Sequence, residues 1–107
     1  MEWAYYLSYL LGGAFLANAI PHLVSGTTGR PFQSPFAKPP GEGLSSSTAN
    51  VLWGAFNLAV GYVLICRVGA FDLHATADVV AAGLGALLIS LHAARHFGRF
   101  HGGFPKP

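Results

Sequence analysis

The chain is poor in charge and in cysteine. Charged residues make up 9% of its 107 residues and hydrophobic residues make up 52%, whereas soluble domains carry about 25% charged residues. A single domain of this length is too short to bury that much apolar surface, so lipid must cover part of it. The one cysteine, Cys66, cannot form an intrachain disulfide. The composition therefore excludes an ordinary soluble domain and a disulfide-held fold.

Motifs of the common enzyme and nucleic-acid-binding classes are also missing. The sequence has no Gly-rich phosphate-binding motif and no basic run interleaved with aromatic residues. It has no Ser-His-Asp set, Cys-His pair or paired acids of the kind that hydrolytic chemistry uses. We therefore expect no nucleic-acid partner, and the sequence favours a protein that is not an enzyme.

Three long apolar segments predict an all-α integral membrane protein that forms one transmembrane domain over residues 1–107. A bilayer core about 30 Å thick requires about 20 helical residues. The segments predict transmembrane helices at about residues 3–24, 48–67 and 77–97. The connector between the second and third helices is short, so we expect those two helices to form an antiparallel hairpin.

The other connector and the tail differ in composition from the helices. The connector at residues 25–47 contains four prolines, which exclude a continuous helix and favour extended backbone. Two phenylalanines, Phe32 and Phe36, alternate with these prolines, so we expect the loop to lie on the helices or on the membrane surface. The tail at residues 98–107 is basic and rich in glycine, and we expect it to be flexible.

The distribution of basic residues predicts the orientation in a bacterial inner membrane. With three spans, the first loop and the C-terminus lie on the same side, and together they carry five of the six basic residues, namely Arg30, Lys38, Arg95, Arg99 and Lys106. The second loop has only Arg67. Because basic residues favour the cytoplasmic side, we expect the N-terminus outside and the long loop and C-terminus in the cytoplasm.

Each predicted helix carries one stripe of polar and small residues at helical spacing. Such residues turn away from lipid and let helix backbones approach closely. The stripe of the first helix contains Ser8, Gly12, Phe15, Asn18 and His22. The stripe of the second contains Asn50, Gly54, Asn57 and Gly61, and that of the third contains Asp78, Ala82, Gly85, Ile89, His92 and His96. We expect Gly54, Gly61, Ala82 and Gly85 to lie at helix–helix contacts.

The stripes and the orientation together predict a site near the cytoplasmic side. There His22, His92 and His96 approach one another, with Asn18 and Asn57 facing the same space and the long loop above. His92 and His96 are four residues apart and share a helix face, so the three histidines are candidate ligands for a metal ion, a haem or another cofactor. The alternative is that the histidines form hydrogen bonds with asparagines or lipid phosphates. Arg95 and Arg99 are candidate contacts for a lipid headgroup or another anion.

A resemblance supports the membrane assignment. It rests on Pro21-His22, on the loop PFQSPFAKPPGEG, and on Trp53-Gly54 followed by Asn57 and Gly61. These features resemble small bacterial multi-pass membrane proteins, and the three-helix plan is similar to the membrane-anchor subunits of respiratory complexes. The resemblance identifies no activity and assigns no role to any residue.

Three functions are compatible with the sequence. The first is a small accessory or structural subunit, held against other membrane protein subunits or against copies of itself in an oligomer. The second is a histidine-based metal, haem or other cofactor-binding membrane protein. The third is a binder of a lipid or small hydrophobic ligand at the cytoplasmic leaflet. We favour the first, and the identity of any cofactor stays open.

Overall fold

A computed structural model describes residues 2–105 of the chain and is mostly helical. Helix α1 spans Glu2–Thr27, α2 spans Ser47–Cys66 and α3 spans Thr76–His101, while two short strands, β1 (Phe32–Gln33) and β2 (Leu44–Ser45), pair between α1 and α2. All three helices are long and apolar enough to cross a membrane. The expectation of a helical membrane protein is confirmed at this level. Helices α1 and α3 each continue several residues beyond their predicted ends.

Helix α1 lies at the centre and packs against both other helices. Gly12 lies against Gly61 and Ile65 near the end of α2, while Gly26 lies against Val51 near its start, so the two helices are antiparallel. Gly13 lies against Ala82 near the start of α3 and His22 lies against Phe97 near its end, so α1 and α3 are parallel.

The second and third helices, which were predicted to form an antiparallel hairpin, do not pack against each other as the helices of a hairpin do. Within residues 2–105, α2 and α3 make little direct contact with each other, because α1 lies between them. Two adjacent glycines allow this arrangement. Gly12 lets α2 approach one side of α1, and Gly13 lets α3 approach another.

The four small residues expected at helix contacts are confirmed there. An added Cβ at Gly54 would lie 2.6 Å from Leu23 Cγ, and one at Gly61 would lie 2.6 Å from Leu16 Cδ2. Gly85 is packed still more closely, since an added Cβ would collide with the backbone carbonyl of Leu10. Small residues at these points let the helix backbones approach closely, and at Gly85 no larger residue fits without moving the backbone.

The ends of α1 and α2 set the direction of the long connector. After α1, the Arg30 N–H donates to the Ser25 carbonyl at 2.9 Å and the Gly29 N–H donates to the Gly26 carbonyl at 3.0 Å. This is a Schellman motif, and Gly29 takes its left-handed position with φ +75°. At the start of α2, the Ser46 side chain accepts a hydrogen bond from the Ala49 N–H, as an N-cap residue does.

The connector itself folds into a compact hairpin. Ser34 is buried and organises it: its carbonyl accepts from the Gly41 N–H at 2.8 Å, and its hydroxyl accepts from the Phe36 N–H and contacts the Ser45 hydroxyl. The prolines prevent this segment from forming helical hydrogen bonds, and these bonds satisfy its backbone N–H and carbonyl groups instead. We refer to residues 31–45 as the cap hairpin, because it lies over one end of the helices.

Candidate functional site

Asn50 and His22 form the most buried hydrogen-bonded pair of polar side chains within residues 2–105. Asn50 is 0% and His22 is 2% exposed, and the distance from Asn50 Oδ1 to His22 Nδ1 is 2.7 Å. The Asn50 amide nitrogen lies within hydrogen-bonding distance of the carbonyls of Phe32, Ser45 and Ser46. One side chain thus ties α1, α2 and both strands of the cap hairpin together.

This network fixes the tautomer of His22. The Asn50 amide nitrogen has two N–H groups and lies within hydrogen-bonding distance of three carbonyls, so the amide oxygen must face the imidazole. A carboxamide oxygen only accepts, and therefore His22 Nδ1 carries the proton and donates it. The other ring nitrogen, Nε2, keeps its lone pair and accepts no hydrogen bond from the part of the chain that the structure describes.

Three aromatic rings surround His22. Phe32 of the cap hairpin, Trp53 of α2 and Phe97 of α3 meet the imidazole edge to face, with ring centroids 5.6, 6.3 and 6.2 Å away. Trp53 Nε1 is the only fully buried side-chain nitrogen or oxygen within residues 2–105 that has no hydrogen-bond partner. The rings exclude solvent from the His22–Asn50 bond, which strengthens it.

A second polar pair lies deeper between α1 and α2. Asn18 donates to Asn57 Oδ1 at 3.0 Å, and the Asn57 amide donates to the Trp53 carbonyl at 2.8 Å. A cavity of about 150 Å³ adjoins the pair, with Phe15 and Ile89 on its walls. Asn18 and Asn57, which were predicted to face one space together with the three histidines, therefore meet each other across the α1–α2 contact through a single hydrogen bond.

His92 and His96 lie on the other side of Phe97. Their rings stack with centroids 6.0 Å apart, and the His96 ring meets Phe97 at 5.0 Å. His96 Nε2 lies 2.5 Å from the Gly41 carbonyl at the tip of the cap hairpin, so this nitrogen carries the proton. Its Nδ1 accepts from the Arg99 guanidinium at 3.1 Å. Both nitrogens of His96 are thus engaged, while the His92 side chain is exposed.

The structure does not gather the three predicted histidines into one ligand set. Among residues 2–105, no group of three or more His, Cys, Asp or Glu side chains is arranged to hold a metal ion. His22 faces α2 and pairs with Asn50, while His92 and His96 face the outer side of α3 and the tip of the cap hairpin. Phe97 occupies the space between the two groups. The predicted site is therefore two sites, of which one is buried and one is open.

Several residues of this region were not among the predicted site residues. His101 was assigned to a flexible tail, but α3 continues to it, and its Nε2 lies 2.7 Å from Gln33 Oε1 while its ring stacks on Phe32. Asn50 was predicted to lie on the stripe of the second helix and, in the alternative without a cofactor, to be one of the asparagines that hydrogen-bond to the histidines, but it was not named as a ligand-site residue. In the structure it bonds to His22.

A long groove runs along one side of the α1–α3 contact. It contains two adjoining cavities of about 440 and 620 Å³ that share Ala17 and Ile20. Phe32 and His101 lie at the end near the cap hairpin, while Cys66 and Leu73 lie at the other end. The lining residues run from Gly13 to Val24 on α1 and from Val79 to His101 on α3, and the walls of the groove are almost entirely apolar.

The fold and these sites define a small helical membrane protein with three potential spans, a buried polar core and a capped end. No protein-family model, curated protein or solved structure matches the chain. Its function is therefore argued from the geometry of the groove and the two polar sites.

Proposed function

We propose that the protein is a small accessory subunit of a membrane protein complex, and that the groove between α1 and α3 receives a transmembrane helix of another subunit. The observation that carries this proposal is the lining of the groove by small residues from both helices. They are Gly13, Ala17, Gly83, Ala86, Ser90, Ala93, Ala94 and Gly98. Small residues on two neighbouring helices allow a third backbone to approach closely, which is how helices associate in lipid.

The dimensions of the groove favour a helix over a small ligand. Gly83 and Gly98 are separated by about 22 Å at 1.5 Å per residue, which approaches the thickness of the hydrocarbon core. Small hydrophobic ligands instead occupy concave pockets that bury most of their surface. This groove is open instead. Ile20 and Val24 at its edge are 58% and 59% exposed, and an added Cβ at Gly83 would meet nothing within 4 Å.

Two polar atoms at mid-depth support a protein occupant. Asn18 uses its amide nitrogen to bind Asn57, and its carbonyl oxygen accepts no hydrogen bond within residues 2–105. Ser90 adds an exposed hydroxyl on the facing wall of the groove. Polar groups left without partners in lipid are costly. A partner helix with a serine, threonine or asparagine at this depth would therefore form hydrogen bonds with the Asn18 oxygen and the Ser90 hydroxyl.

The shape of the groove also favours a different subunit over a second copy of this chain. In a two-fold dimer the same surface meets itself, and a concave groove is not complementary to a groove. A second copy could fill the groove only with a different face of its own surface. Repeating that contact from copy to copy would produce a closed ring or an open filament.

Gly83→Leu is expected to release the protein from its complex without affecting its own fold. An added Cβ at Gly83 meets nothing within 4 Å, so the leucine side chain can extend into the groove without displacing the backbone. Native electrophoresis of mild-detergent extracts should show a large complex for the wild type and, for the variant, at least tenfold less protein in that complex, with an unchanged melting temperature. Leu88→Ala, on the exposed face of α3, should leave the complex intact.

Three results would contradict the proposal. They are a wild type that migrates alone, a wild-type assembly that contains only copies of this chain, and a complex that survives Gly83→Leu. A photoreactive residue at Ala93 provides a second measurement, since it should crosslink to one defined protein in wild type and lose that product in Gly83→Leu. The same residue at Leu88 should give no such product.

The orientation and the membrane are part of this proposal. We infer a bacterial inner membrane with the N-terminus outside, because five basic residues lie on the side of the cap hairpin and C-terminus and one lies on the other. A reporter that is active only in the cytoplasm should therefore be active when fused after residue 107 and inactive when inserted beside Asp72. The reverse pattern would invert the topology.

A further inference from the structure

A polar cleft lies on the outer side of α3, at the end that the cap hairpin covers. Its volume is about 370 Å³, and it is lined by His92, Arg95, His96, Arg99 and Phe104. It is separate from the groove of the proposed function, whose lining residues on α3 belong to the opposite face. We propose that this cleft, the headgroup cleft, binds a phosphate group, carried by an anionic membrane lipid or present as free phosphate.

Arg99 is held in place before any ligand arrives. Its Nε donates to the His96 carbonyl at 3.3 Å and one terminal nitrogen donates to His96 Nδ1 at 3.1 Å. The guanidinium also lies over the Phe100 ring, 5.1 Å from the centroid. A guanidinium that is already ordered loses less entropy on binding a phosphate oxygen.

His96 is the residue that positions Arg99, and the cap hairpin positions His96. Because Nε2 of His96 donates to the Gly41 carbonyl, Nδ1 is left as an acceptor that faces Arg99. A neutral imidazole in this tautomer orients the guanidinium without adding a competing charge. The cap hairpin thus controls the geometry of the headgroup cleft through a single ring.

The charge around the cleft is suited to an anion. Of the four acidic residues, Asp72 and Asp78 lie at the other end of α3 and Glu2 begins α1. Glu42, beside Gly41 in the cap hairpin, is the acid at this end of the molecule. Arg95 and Arg99 lie one helical turn apart, a spacing that lets both guanidinium groups contact one phosphate. His92 is exposed beside them and offers a ring nitrogen as a further donor or acceptor.

The test compares two double variants, R95Q/R99Q and R30Q/K38Q. Each removes two positive charges from the end of the molecule that carries the cap hairpin. Purified protein is titrated with phosphatidic acid or phosphatidylcholine in detergent, and native mass spectrometry counts the bound lipids. Wild type is expected to bind phosphatidic acid at least tenfold more tightly than phosphatidylcholine. R95Q/R99Q should abolish that preference, while R30Q/K38Q should retain it. Arg95→Gln alone should weaken binding even if the double variant folds poorly.

A parallel titration with inorganic phosphate distinguishes the two sources. Displacement of phosphatidic acid by phosphate at similar concentration would assign the cleft to free phosphate, whereas no displacement would assign it to the lipid. The proposal is overturned if R95Q/R99Q keeps the preference, or if R30Q/K38Q loses it equally. In the latter case the attraction belongs to the whole basic surface.

Discussion

Gly85→Leu is expected to separate α3 from α1. Even a methyl group at this position would collide with the backbone carbonyl of Leu10, and a backbone atom cannot move aside as the end of a side chain can. Within residues 2–105, α3 hardly touches α2, so its support comes from α1 and from the contacts that His96 and His101 make with the cap hairpin. Overpacking of this kind costs about 3 kcal/mol or more.

The same substitution two residues earlier provides the control. Gly83→Leu introduces an identical side chain on the same helix, where an added Cβ meets nothing within 4 Å. It should leave stability unchanged or raise it slightly, because leucine favours a helix by up to about 1 kcal/mol relative to glycine. Unfolding in mixed detergent, followed by circular dichroism, measures both variants. Equal losses of stability would show that Gly85 is not at the closest helix contact.

The sequence was sufficient to predict which face of α2 is buried. The stripe of α2 contained Asn50, Gly54, Asn57 and Gly61, and all four are buried. Polar residues that face lipid are costly, so polar and small residues repeated at helical spacing lie on the side that faces other helices. Periodicity alone therefore identifies the buried face.

The sequence was not sufficient to predict which helix each face meets. Periodicity assigns residues to a face but carries no information about the neighbour, and so the central position of α1 was missed. The paired glycines Gly12 and Gly13 were the available indication, since they open two sides of α1 to close approach. On α3, steps of three and four drift around the helix. His92 therefore lies on the exposed side, although it shares a stripe with Gly85.

Removal of the Asn50 side-chain amide is expected to release the cap hairpin. Asn50→Leu keeps the number and branching of the side-chain heavy atoms. It removes the bond to His22 and the amide nitrogen that lies within hydrogen-bonding distance of the carbonyls of Phe32, Ser45 and Ser46. The His22 Nδ1–H would then face an apolar side chain in a site that is closed by aromatic rings. Each buried group left without a partner costs about 1–3 kcal/mol, so the hairpin should open far more often than in wild type.

Hydrogen exchange at the Gly41 and Ser34 amides, which bond within the cap hairpin, measures this opening. A loss of about 3 kcal/mol corresponds to exchange about a hundredfold faster. Asn57→Leu is the matched control, because it places the same change on the same face and breaks the bond to Asn18. It should lower global stability while leaving exchange in the hairpin near the wild-type rate. Unchanged protection in Asn50→Leu would instead mean that His96 and His101 hold the hairpin through Gly41 and Gln33, and the headgroup cleft would then not depend on Asn50.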